Sequence, residues 1–154
     1  MAKPIVIQIL DAIETRLAAI TTTGGYSRNV ASVYRPEMVN LDNYTPTDST
    51  IVLILGQRTR NDEDDVGHLR WTQIVHVMPC CIPTEWVGSD IDTVCQTFAA
   101  DVEASLMSDP QFSGLAADAI IKTVSPLQTN DNYAGVDIEL HVDYSTLRAN
   151  PTAL

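Results

Sequence analysis

The stretch YAGVDIELHVDYSTL, residues 133–147, constrains the fold more than any other part of the chain. Val136, Ile138, Leu140, Val142 and Tyr144 alternate with Asp137, Glu139, His141 and Asp143. Successive side chains of a strand point to opposite faces, so one face is apolar and the other ionisable. Such a strand lays one side on a core and turns the other to water or to a partner.

Strands to pair with it and helices to cover it can be read along the chain. TIVLILGQ (50–57) is a near-continuous β-branched run, as in a strand covered on both faces. LRWTQIVHVMPCCI (69–82) is a second long strand, which Pro79 and Pro83 should end or edge because proline donates nothing to a ladder. NVASVYR (29–35) is a shorter strand closed by Pro36, and AIIKTVSPL (119–127) should bend or end at Pro126. Residues 4–20 predict a helix, with Ile5, Ile9, Ile13, Leu17 and Ile20 in one stripe, Pro4 in its first turn and Gly24-Gly25 beyond it. A second helix spans about 89–108, with Ser89 and Asp92 resembling a capping box and Ile91, Val94, Cys95, Phe98, Val102 and Leu106 on one side. SDPQFSG (108–114) stops it. Residues 37–49 read as a polar loop and 145–154, ending RANPTAL, as an irregular tail. The order α-β-β-β-α-β-β, with hairpins and two helices over one sheet face, defines a mostly antiparallel α+β fold.

The 154 residues fit a single domain spanning 1–154, and 45% hydrophobic against 19% charged residues suffices for a core. Twenty Asp and Glu against nine Lys and Arg give a formal charge of −11. That balance argues against wrapping nucleic acid or docking on an anionic membrane. No apolar run approaches the roughly 18 residues of a membrane span, and IVIQIL at 5–10 is too short for a secretory signal, so a cytoplasmic product is expected. Cys80, Cys81 and Cys95 follow no disulfide or zinc spacing and read as reduced core thiols.

GQRTRNDEDDVGHLRW (56–71) holds four consecutive carboxylates, Asp62, Glu63, Asp64 and Asp65, fenced by Arg58, Arg60, His68 and Arg70. A calcium loop needs ligands at alternating positions and a closing bidentate Glu, and neither is present. Adjacent carboxylates on a solvated loop have no cause to separate their pKa values for acid–base work. The run reads as a hairpin tip, either solvated or touching a neighbouring subunit or a channel, with the arginines suited to carboxylates across an interface. Asp137, Glu139 and Asp143 form a second acidic row, but alternate residues on a strand lie roughly 6.6 Å apart, too far for first-shell metal ligands. His68, His76 and His141 stand in different elements. Trp71 and Trp86 read as packing a core edge or an interface. No nucleotide, cofactor, metal or nucleophile motif is present, so neither catalytic residues nor a cofactor are expected.

The helix ILDAIETRLAAI, the strand TIVLILGQ, the segments WTQIVHVMPCCIP and VCQTFAADVEASLMSDPQFSGLA, and the closing YAGVDIELHVDYSTLRANP together resemble the tail terminator proteins of long-tailed bacteriophages. The resemblance spans nearly the whole chain and lies in the pattern of elements. It implies a structural virion protein at the tail–neck junction, a hexameric ring that caps the tail tube, ends its elongation and offers the head-joining surface. Its partners would be copies of itself, the tail tube protein and the neck or head-completion proteins, with DNA sliding through a repelling acidic lumen. A head-completion or neck connector protein is the nearest alternative, and a small enzyme or ligand-binding domain a more distant one. On this reading Arg58 and Arg60 make inter-subunit pairs. The carboxylates of the loop, with Asp137, Glu139 and Asp143, face the lumen or a basic neighbour.

Overall fold

A fourteen-residue one-sided strand needs a neighbour on each side, and a computed structural model, describing residues 2–36, 49–61, 67–82, 90–127 and 133–154, places it inside the sheet. The elements are α1 (Ile5–Ala18), β1 (Ser32–Tyr34), β2 (Thr50–Arg60), β3 (His68–Cys81), α2 (Ile91–Met107), β4 (Asp118–Pro126) and β5 (Ala134–Leu147), with a 3-10 turn at Thr22–Gly24. The five strands form one sheet in the order β1-β2-β3-β5-β4. The expected α+β order is thus found. All pairings are antiparallel except β1 with β2, which run parallel. The long connection between Tyr34 and Thr50 lets the chain return to the same direction, which a tight hairpin would forbid.

Both helices cover one face of the sheet. Ile5, Ile9, Leu10, Ile13 and Leu17 of α1 and Cys95, Phe98, Ala99, Val102 and Leu106 of α2 meet Ile51, Leu53, Val75, Val77, Ile138, Leu140 and Val142. Removing such side chains from water contributes about 1.5–3 kcal/mol each. α1 ends two residues short of the expected Ile20, because Ala19 and Ile20 donate to carbonyls only three residues back and tighten the last turn. Ile20 is nonetheless fully buried. The α2 cap is Asp90, whose carboxylate accepts the Thr93 N–H at 3.1 Å; Ser89 of the expected pair lies outside the described residues.

Three expectations are corrected. β1 is shorter than 29–35, since the Val30 N–H bonds to Ile20 and only Ser32–Tyr34 joins the ladder. β3 does not end at Pro79. Pro79 stays opposite Ile51 of β2, while pairing with β5 lapses at Met78 and Pro79 and resumes at Cys80 with Gly135. Gly135 makes that possible: a Cβ there would lie 2.6 Å from the Pro79 carbonyl oxygen. β5 runs to Leu147, so the tail begins later than 145 and is tied down, with Pro151 accepting the Ile5 N–H at 3.2 Å.

β4 is a sheet edge exposed over most of its length. Between Ile121 and Thr123 it advances two residues while β5 advances one, so Lys122 sits in a bulge, and Pro126 closes the strand. A bulge, a lysine and a proline are the usual means of preventing an edge from pairing with another chain.

Candidate interaction surface

The face of the sheet turned away from the helices divides in two. At one end Val52, Met78 and Cys80 form a small buried cluster against Ile54, Leu127 and Tyr133. Along the rest lies the ionisable row of β5. His76 Nδ1 is 3.1 Å from both carboxylate oxygens of Asp137, and His141 Nε2 is 2.6 Å from Glu139 Oε1. Thr72 donates to Asp143 at 2.5 Å. The bond from His141 holds the Glu139 carboxyl below the usual carboxylate range, against the opposing effect of desolvation and with help from the charges of His141 and His76. The row is half-buried, as flanking strands and paired side chains would leave it.

The structure thus brings Asp137, Glu139 and Asp143 onto one surface, and adds His76 of β3. His76 shares that face with Cys80, but the Cys80 thiol lies in the apolar cluster and donates to the Met78 carbonyl. Among the described residues no group of three or more His, Cys, Asp or Glu is placed to hold a metal ion. All three cysteines are buried.

Beyond its short pairing with β1, β2 runs on with β3 as an arm whose outer strand is exposed from Gln57 to Arg60, while β3 stays paired with β5 as far as His68. It contains an irregularity with consequences for Arg58. Leu55 faces Val75, but Arg58 faces Gln73, so β2 carries one extra residue at Gly56-Gln57. Gln73, only 4% exposed, holds that bulge: its amide donates to the carbonyls of Gly56 at 2.9 Å, Ile74 at 2.7 Å and Gln57 at 3.4 Å. The shift in parity turns Arg58 and Arg60 to the face that carries Trp71. There the Arg58 guanidinium lies 4.6 Å from the centre of the Trp71 ring, and the indole N–H donates to Thr146 at 3.3 Å. Trp71 packs on the core edge, as expected; Trp86 and the carboxylates Asp62, Glu63, Asp64 and Asp65 lie outside the described residues. His68 opens β3 and lines a cavity of about 540 Å³ with Asn61, Arg70 and Asp143.

Beyond α2 the chain turns on Asp109, whose carboxylate accepts the N–H groups of Ser113 at 2.8 Å and Gln111 at 3.2 Å and pairs with Arg16 at 3.0 Å. The turn holds Phe112 at a φ of 46° and buries its ring completely, a core contribution that helical periodicity could not reveal.

No protein-family model matches the chain, and no curated protein matches it. Among the described residues no helix is long and apolar enough to cross a membrane. What the geometry of the described residues defines is an α+β domain with one sheet face under two helices, a half-buried acidic row on the other and an exposed end of β2.

Proposed function

We propose that this chain is a ring-forming structural protein, a tail terminator that caps the tail tube of a long-tailed bacteriophage and offers the surface on which the head is joined. The observation that carries the reading is the one-sided sheet. α1 and α2 occupy one face, while the other presents Asp137, Glu139 and Asp143, none of them ion-paired to a lysine or arginine among the described residues. Such a face needs water, cations or a basic neighbour. Lined around a bore, it would repel the phosphates of passing DNA, and a formal charge of −11 per chain strengthens that repulsion with every copy. The blunted β4 edge disfavours sheet extension on that side and supports assembly through faces and through the β2–β3 arm.

Light scattering on the purified chain, alone and with tail tubes, tests the oligomer: a discrete hexamer is expected, and a monomer under both conditions refutes the ring. Electron microscopy of particles made without the gene tests the role. Overlong tails are expected; normal headless tails, or heads that leak DNA, would point to a neck connector instead. The 540 Å³ cavity at the base of the arm favours a second reading, a small-molecule-binding domain, since its size falls in the range of ligand pockets. A monomer stabilised saturably by a metabolite would select it.

A further inference from the structure

The Arg58 side of the arm carries a second, smaller cleft, of about 160 Å³, between the arm, the start of α1 and the C-terminal turn. Its charge is opposite to that of the protein. Among the described residues that line it are Arg58 and Arg148 and no Asp or Glu, in a chain with 20 acidic against nine basic residues. Its floor is Trp71, with Arg58 stacked on the ring. Stacking fixes the plane of the guanidinium and uses none of its N–H groups, and Arg58 makes no hydrogen bond among the described residues. An arginine immobilised in this way is set to receive a carboxylate through two parallel bonds, having already lost most of its rotamer freedom. Pro4 and Val6 at the amino end of α1 form the adjoining wall, and that helix has neither a side-chain cap nor an acidic residue in its first turn, its Ile5 N–H being taken by the Pro151 carbonyl.

We infer that this cleft is a carboxylate receptor and that, in the assembled protein, an Asp or Glu side chain of a second copy fills it. The volume holds a carboxyl group and its water, and is too small for a drug-sized ligand. Charge complementarity selects the occupant: the surface that most readily supplies a carboxylate is another copy of this acidic chain. The identity of that occupant rests on the ring reading, while the chemistry of the cleft does not.

The test uses the full chain carrying Trp86→Phe, which leaves Trp71 as the sole indole. Acetate is titrated against chloride at constant ionic strength while Trp71 fluorescence and the mass of the assembly are followed. A saturable, acetate-specific change is expected, together with dissociation of the ring as acetate competes with the neighbour's carboxylate. Arg58→Gln should weaken assembly roughly 10- to 100-fold, the loss of a charge-assisted pair. Arg58→Lys, which keeps the charge but not the fork, should recover only part of it. A hexamer indifferent to Arg58→Gln and to acetate overturns this inference and leaves the ring standing. A monomer overturns the ring and the second-copy occupant together. In that monomer, an acetate response retains the receptor for a free carboxylate, and silence from Trp71 removes it too.

Discussion

Gln73 is the residue on which the geometry of the arm should depend most. It sits on the core face of β3, almost wholly buried, and its amide hydrogens are shared among three carbonyls, two of them in the bulge of β2. Gln73→Leu keeps the volume and removes the donors. Each neutral hydrogen bond contributes about 0.5–1.5 kcal/mol net, and an orphaned buried acceptor costs about 1–3 kcal/mol. The two bonds under 3 Å dominate, and the Gly56 and Gln57 carbonyls lie toward the exposed part of the arm, where water can reclaim them. A loss of about 1–3 kcal/mol follows, or a fall in Tm of roughly 2–12 °C for a domain of this size.

Gln73→Glu separates hydrogen bonding from packing. Its carboxylate would point acceptors at acceptors, so only the protonated acid can donate to Gly56 or Ile74. The folded state therefore raises the pKa of the introduced acid above its unfolded value. Its protonated bonds are present below the unfolded pKa, and the penalty grows as pH rises through the folded one. Chemical denaturation across pH 4 to 8 should show Gln73→Glu near wild type at the acid end and less stable than Gln73→Leu at the neutral end. Gln73→Leu as stable as wild type, or a pH-independent Gln73→Glu, would refute the view that these bonds hold the bulge.

Three further substitutions probe the rest. Gly135→Ala should lower stability by about 1–3 kcal/mol in thermal melts, because its methyl would meet the Pro79 carbonyl in a strand fixed from both sides; an unchanged Tm would show that β5 can move away. Tyr144→Phe should be neutral or stabilising by up to about 1 kcal/mol, since the Tyr144 hydroxyl is buried with no hydrogen-bond partner among the described residues; a clear loss would reveal an acceptor. The Ser113 N–H, then Arg16, hold the Asp109 carboxyl below the usual range. Its contribution is present above the unfolded pKa and lost as pH falls through the folded one, so the stability gap between wild type and Asp109→Asn should close on acidification. A gap that widens toward low pH would reverse the assignment.

The elements that could be read from the sequence were those whose neighbours are local. The α1 stripe and the alternation of β5 are each complete within one segment, and burial follows both: Ile5, Ile9, Ile13 and Leu17 are buried, as are Val136, Ile138, Leu140, Val142 and Tyr144. Non-local partners decided the rest. Pro79 looks like a strand end until Gly135, more than fifty residues later, is found making room for its carbonyl. The direction of β1 depends on where a long connection returns, and Phe112 reaches the core through a positive φ that no periodicity encodes.

The same distinction runs through the candidate surface. Glu139 and His141 are two residues apart on one strand, so their pairing could be anticipated, whereas His76 meets Asp137 only through the β3–β5 register. Arg58 shows most clearly what simple alternation misses. Counted along an unbroken strand from Leu55, which packs against the core, residue 58 belongs to the face away from the helices, with the acidic row. The extra residue at Gly56-Gln57 reverses that parity and delivers Arg58 to Trp71. A glycine inside an otherwise β-branched run is the one local sign of such a bulge. The residue that holds it, Gln73, is a polar side chain at a core position of the next strand. A buried amide aimed at the bulge thus sets which side of the arm is cationic, and Gln73→Leu should loosen the Arg58–Trp71 stack as well as the fold.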